Sequence, residues 1–332
     1  MPAAAPHRID VHHHTMPPAF VEAVRISGNP ARTPAWTPES AFALMDRHGI
    51  AGAVTSLSVP GTHFQGSDAK ARELTQRCND YYANCVELYP KRLGAFGSTS
   101  LPDVEGACRD VGYALDTLRL DGIGLLTNYG GRYLGHRDFI PVMQELDRRD
   151  AVVHIHPTHP PYGNTIDIGL PPFTVEYLFE TTRTALDLVF SGTLDRYPRI
   201  RFILSHAGGT LPYIAWRVAD IAWRQLADPE HGSKYPLPMI KAEGDSIDME
   251  SVLGRLRRFY YDTALSPGAQ TIGSLTTVAA PERILFGSDW PYAPETMTGD
   301  SVAALQDALP DPTQRCAVER DNALALFPRF AR

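Results

Sequence analysis

Eight short apolar runs rich in Val, Ile, Leu and Phe recur along the chain with longer amphipathic segments between them, and no other feature constrains the fold as much. They lie at residues 8–12, 52–57, 93–97, 122–126, 151–156, 201–206, 259–263 and 283–289. Near-continuous runs of this length read as parallel strands covered on both faces. Helix punctuation fills the gaps. Thr37-Pro38-Glu39 offers an N-cap followed by proline, with Gly49 as the stop. Residues 68–88 keep a helical period through Leu74, Cys78, Tyr81, Tyr82 and Cys85 before Pro90. Further helices are expected from Pro102 and over 138–149, 174–197 and 211–226. Eight strand–helix units predict an α/β fold, a closed (β/α)8 TIM-like barrel forming a single domain over residues 1–332 with loop insertions. An open doubly wound sheet would need a glycine-rich phosphate turn after the first strand, where this chain has histidines.

Three stretches exceed what barrel connections need: 16–36, 158–173 and 227–246, each interrupted by proline or glycine. Such loops serve as lids, binding loops or contact surfaces. Composition excludes several classes of function. With 43% hydrophobic and 21% charged residues the chain can bury a core, so wholesale disorder is excluded. Thirty-one Lys and Arg against 38 Asp and Glu give a net charge of −7 without a basic stripe, which argues against nucleic acid as a partner. No apolar run approaches the ~18 residues of a membrane span, and the start lacks a signal-peptide core. Four cysteines without a CxxC pair read as reduced thiols in a cytoplasmic protein.

Twelve histidines are the unusual count, and several cluster at strand ends. The first strand ends in Asp10-Val11-His12-His13-His14, where alternation puts His12 and His14 on one face and His13 on the other. The fifth ends in His154-Ile155-His156-Pro157, the sixth in Ser205-His206-Ala207-Gly208-Gly209 and the eighth in Gly287-Ser288-Asp289-Trp290-Pro291. All would meet at the C-terminal rim, where barrel active sites lie. Three imidazoles and a carboxylate suit a divalent ion, Zn²⁺ by ligand type, with a position left open. His206 opens a Gly-Gly turn and suits proton transfer beside the metal, fourth ligation being its competing role. His154, one layer deeper, reads as a core histidine, and His13 as packing behind the site. His159 in the following loop and Trp290 beside Asp289 are candidates to face a substrate. His7, His48, His63, His136 and His231 show no partners in the sequence. The fourth strand ends in Leu125-Leu126-Thr127-Asn128-Tyr129 without a lysine, which argues for one metal rather than a carboxylated-lysine pair.

The ordered series D-x-H-x-H at Asp10 to His14, YPKRLGAFGS, His156-Pro157, LDRYPRIRFILSHAGG, YYDTAL and FGSDWPY resembles the amidohydrolase superfamily. It is most similar to the branch of metal-dependent non-oxidative decarboxylases that includes the α-amino-β-carboxymuconate-ε-semialdehyde decarboxylase family. GIGLLTNYGGRYLG followed by VHIHPT is most like the 6-methylsalicylate decarboxylase group. The resemblance implies an amidohydrolase-type barrel with metal ligation by His12, His14, His156 and Asp289. It implies catalysis by His206 with Asp289, and an arginine at Arg217 that enters the partner's site in a homodimer. The arginine-bearing insert after the first strand is shorter here, and neither Arg25 nor Arg32 aligns to it. That departure favours a small aromatic carboxylic acid, an ortho-hydroxybenzoate such as 6-methylsalicylate, over a doubly charged acyclic acid.

Decarboxylation without an organic cofactor needs a sink for the electrons left by CO2, and a ring protonated at the carboxylate-bearing carbon provides it. A mononuclear metallohydrolase of a lactone or amide would use the same ligands, with Asp289 as base. A metal-binding barrel acting as a scaffold or sensor would instead keep its metal fully enclosed.

Overall fold

The computed structural model describes residues 7–162, 168–227 and 248–331. Eight parallel strands form its main sheet: β1 (Arg8–His14), β2 (Ile50–Ser56), β3 (Leu93–Gly97), β4 (Gly122–Leu126), β7 (Val152–His156), β8 (Arg201–Leu204), β9 (Tyr260–Asp262) and β10 (Ile284–Leu285), neighbours in that order. Between β4 and β7 a two-stranded antiparallel hairpin, β5 (Asn128–Tyr129) and β6 (Arg132–Tyr133), projects from the rim. The sheet closes because the segment after β10 hydrogen-bonds back to β1. Val11 N–H donates to Phe286 O at 2.9 Å, Asp289 N–H to His12 O at 2.8 Å and His14 N–H to Trp290 O at 2.7 Å. The expected barrel, with helices on its outside, is therefore the fold observed.

The helices begin with α1 (Pro18–Ser27), α2 (Pro38–Arg47), α3 (Asp68–Leu88), α4 (Val104–Gly112) and α5 (Ile140–Arg148), followed by α6 (Pro172–Phe190), α7 (Thr193–Arg196) and α8 (Leu211–Ala227). Capping sets several starts. The Thr37 hydroxyl accepts from Ser40 N–H, the Ser67 hydroxyl from Lys70 N–H and the Asp103 carboxylate from Gly106 N–H. The packed core lies between helices and sheet, around residues such as Leu44, Met45, Tyr82, Phe139 and Phe202. At the barrel's N-terminal end the C-terminal turn folds underneath. There the Phe330 ring lies so close to Gly52 that a Cβ would stand 2.5 Å from it. The other end carries the site.

Several element boundaries differ from the sequence expectation, and four of the differences change an element's extent or character. α1 stands inside the stretch 16–36 read as loop, because Pro18 opens it, Phe20 and Val24 bury one stripe and Gly28 ends it in the left-handed conformation. The helix expected over 174–197 is two, α6 and α7, broken where Gly192 adopts φ +72°. The helix expected over 138–149 starts as a 3-10 turn at Arg137–Phe139 and becomes α5 with Pro141 in its first turn. Finally, the last strand is two residues long rather than seven, and the segment after it runs on beside β1 to Trp290 through separate hydrogen bonds, with Asp289 at φ +62°. The expected stretch 227–246 beyond Ala227, with His231, lies outside the described residues, as does 163–167.

Candidate active site

Each functional side chain sits at or just past the C-terminal end of a strand, where the chain leaves the barrel. Asp10 fixes the geometry from the first of them. Its Oδ1 accepts the N–H groups of His12 and Ser288, both at 3.1 Å. Its Oδ2 accepts from the Ser288 hydroxyl at 2.6 Å and His13 Nδ1–H at 3.0 Å. One fully buried carboxylate thus ties β1 to the segment that bears Asp289. Gly287 permits the approach, since a Cβ there would fall 2.8 Å from His12 Cβ.

Three imidazoles are turned the same way by bonds at their outer nitrogens. His12 Nδ1–H donates to Asp262 Oδ2 at 2.9 Å, His14 Nδ1–H to Ser56 O at 3.3 Å and His156 Nδ1–H to Pro157 O at 2.7 Å. In each ring that leaves Nε2 as the nitrogen turned to the metal position. His12 Nε2 lies 3.2 Å from His14 Nε2, and Asp289 Oδ1 lies 2.9 Å from His14 Nε2 and 3.3 Å from His12 Nε2. Ligand atoms ~2.0–2.2 Å from a four-coordinate ion stand roughly 3.3 Å apart, so these separations fit such an ion. The donor atoms of His12, His14, His156 and Asp289, all buried, fall within 4.8 Å of one another. The chain has a divalent-metal site.

Electrostatics agree with a cation at this point. Burial disfavours charge on His12, but the carboxylates of Asp262 and Asp289 outweigh it and lift its pKa to about 10. Burial keeps His14 and His156 below the usual histidine range, hence neutral with lone pairs to give. Burial opposes ionisation of Asp289, yet His12, His14 and His206 hold its carboxyl well below the carboxylate range. A proton on His12 and a metal ion answer the same negative field.

His206 lies beside the donor group. Its Nε2 stands 3.6 Å from Asp289 Oδ2, is buried and has no hydrogen-bond partner among the described residues. His206 and Ala207 take successive left-handed conformations, φ +55° and +56°, strain of the kind found at functional sites. A small cavity opens beside His156, bordered by Leu57, Ser58, Leu126, Tyr129 and His154, with Ser58 Oγ 3.4 Å from His156 Nε2.

The remaining sequence candidates separate. His159 is exposed, its ring 5.7 Å from that of Tyr177. Trp290, expected to face a substrate, instead packs its ring 5.0 Å from His13, behind the strand that carries the donors. The aromatic ring against the donors is Tyr292, 5.0 Å edge-on from His14, with its hydroxyl donating to Arg32 O at 3.2 Å. Arg217 lies on the exposed face of α8, one turn from Tyr213 and next to Trp216. His154 is fully buried as a core histidine, and His13 packs behind the site as expected. His7 and His63, read as background, pair with Glu319 at 2.6 Å and Asp68 at 2.7 Å.

Two residues escaped the sequence reading. Asp262, in YYDTAL at the end of β9, is fully buried and touches both His12 and His206. Its signal was an acidic residue at a barrel strand's C-terminal end. Tyr177 on α6 reaches back over the rim, its ring 6.4 Å from His156, and burial with the nearby Asp289 charge pushes its phenol up to about 12. Nothing in a helical apolar pattern distinguishes it from packing.

The Amidohydrolase family model matches residues 9–329. A 6-methylsalicylic acid decarboxylase of Penicillium expansum is 38% identical, over 97% of this chain and 97% of its own length. Another, from Aspergillus aculeatus, is also 38% identical, over 98% of this chain and 97% of its own. Among solved structures, 5-carboxyvanillate decarboxylase of Novosphingobium aromaticivorans, complexed with manganese and a nitrobenzoic acid, superposes with a TM-score of 0.82 at 23% identity. That similarity covers 97% of this chain and 96% of the other.

Proposed function

The chain belongs to the amidohydrolase family and is a carboxy-lyase of its decarboxylase branch; from that premise we propose that it removes CO2 from an ortho-hydroxybenzoate, 6-methylsalicylate first among them. His12, His14, His156 and Asp289 hold the metal in this reading. A divalent ion held there would supply Lewis-acid stabilisation of an anionic substrate and help orient the ring. Zn²⁺ suits the ligand set, and the manganese in the similar 5-carboxyvanillate enzyme makes Mn²⁺ the other ion to load.

His206 and the outward oxygen of Asp289 hold the proton delivered to the ring carbon bearing the carboxylate. The new C–H bond makes the ring the electron sink. The bond to the carboxylate carbon then breaks, its electron pair returns to the ring and CO2 departs. The ortho oxygen, donating into the ring, makes that carbon basic enough to accept the proton. His159 and Tyr177, whose rings lie 5.7 Å apart with Tyr177 6.4 Å from His156, contact the substrate in this reading. The observation that carries this reading is the split of one carboxylate, Asp289 Oδ1 toward two imidazoles and Oδ2 toward His206.

The molecule works as a single-domain subunit of a homodimer in the cytoplasm, with Arg217 directed to the partner's site. Support comes from the α8 face, where Tyr213 is 85% and Trp216 66% exposed, and from four free cysteines. No described helix is long and apolar enough to cross a membrane.

The deciding experiment loads purified protein with Zn²⁺ or Mn²⁺ and measures CO2 release across hydroxybenzoates against ring opening of lactones. Release from 6-methylsalicylate is expected. Lactone hydrolysis without CO2 release would replace this reading with a metallohydrolase.

A further inference from the structure

We propose that Asp262 is a positioning residue that seats His12 and His206 together, fixing the ring nitrogen offered to the metal and the backbone that carries the proton-transfer histidine. The inference rests on the roles given to those two histidines above.

Asp262 ends β9, fully buried, and both of its oxygens are engaged. Oδ2 accepts from His12 Nδ1–H at 2.9 Å and from His154 Nε2–H at 3.1 Å. Oδ1 accepts the backbone N–H groups of His206 and Ala264, each at 3.0 Å. One side chain therefore joins the ends of β1, β7, β8 and β9. A neutral imidazole carries one N–H, and whichever nitrogen keeps it cannot bind a metal. By holding the Nδ1 proton of His12 in a hydrogen bond, Asp262 makes Nε2 the nitrogen that exchanges its proton for a metal, and Nε2 is the atom beside His14 and Asp289. A ligand's outer partner chooses its tautomer in this way.

The second oxygen acts on a different element. His206 and Ala207 occupy left-handed backbone, which is strained for residues other than glycine and persists only where neighbours hold it. The bond from His206 N–H to Asp262 Oδ1 is such a hold, at the first of the two residues.

Asp262→Asn separates the two tasks. Its amide carbonyl still accepts from His206 and Ala264, whereas its NH2 now meets His12 Nδ1 and His154 Nε2 as a donor. His12 is thereby driven to the Nε2–H tautomer, with a hydrogen in the metal's place. Metal-free full-length protein is titrated with Mn²⁺ in competition with a chelator, and thermal unfolding is followed in parallel. The expected result is a folded variant binding Mn²⁺ 10–100-fold more weakly, with kcat largely recovered at saturating Mn²⁺ because the His206 seat persists. A folded variant with unchanged Mn²⁺ affinity overturns the proposal. Should Asp262→Asn not fold, ¹⁵N spectra of histidine-labelled, metal-free wild-type protein decide, with the His12 signal identified by its loss in His12→Asn. A protonated Nδ1 on His12 supports the assignment and an unprotonated Nδ1 overturns it. Neither measurement uses substrate, so the decarboxylase reading stands or falls separately on CO2 release by the wild type.

Discussion

His206 Nε2 stands 3.6 Å from Asp289 Oδ2, while the other oxygen of that carboxylate lies 2.9 Å from His14 Nε2. One aspartate thus borders the metal position on one side and His206 on the other. His206 lies outside the group of four donors, so replacing it should spare the metal. His206→Asn is expected to keep wild-type metal content and to lose ~10²–10⁴-fold in kcat, the usual span for a lost acid–base group. Metal analysis beside steady-state CO2 assays tests this. A variant with both metal and full activity would remove His206 from the reaction.

The four donors should behave as a unit instead. Truncating His14 or His156 to Ala leaves the remaining ligands with a vacant edge, and both metal and activity should disappear together. Chelation of the wild type is expected to do the same reversibly. It should also lower the unfolding temperature, since a ligand at about 1,000 times its Kd stabilises the native state by ~4 kcal/mol. Scanning calorimetry with and without Mn²⁺ reads the effect, and an unchanged transition would argue against a tight site.

Gly287 offers a steric test at the same place. A Cβ there would come within 2.8 Å of His12 Cβ and 3.1 Å of Ala264 Cβ. Gly287→Ala must therefore push β1 and the turn after β9 apart. Overpacking of this kind costs about 1–3 kcal/mol, visible in urea unfolding, and the displaced His12 should bind metal more weakly. A variant with native stability and native metal affinity would contradict the close contact.

The eight-strand alternation and the rim histidines were legible because they follow local rules: strand periodicity brings out His12 and His14 as one face, and prolines and glycines mark the helix ends. Asp262 was not legible by such rules. Its partners His12 and His154 lie 250 and 108 residues away, and only barrel closure brings them to it. The break between α6 and α7 was missed because the apolar period runs on through Ser191-Gly192, although the backbone does not. Trp290 was assigned by adjacency to Asp289, but the turn at Asp289 sends its ring to His13.

The α8 face supplies the last prediction. Tyr213, Trp216, Arg217 and Ile221 recur at helical spacing, and the three large apolar side chains are 85%, 66% and 39% exposed. Leaving that much aromatic surface in water is unfavourable, by ~25 cal/mol for each Å² that a partner would cover. A negative charge placed at the centre of the face should therefore oppose association without disturbing the barrel, whose core lies on the helix's other side through Leu211, Ala215 and Ala219. Trp216→Glu is expected to shift the molecular mass by light scattering from two chains to one while thermal stability of the fold changes little. If Arg217 enters the partner's site, kcat/KM falls with dimer dissociation, and Arg217→Ala lowers it in a protein that remains dimeric. Mixing Arg217→Ala chains with His206→Asn chains should then restore part of the activity, because each mixed dimer keeps one site with both residues intact. No recovery on mixing would leave the arginine as surface charge and the site complete within one subunit.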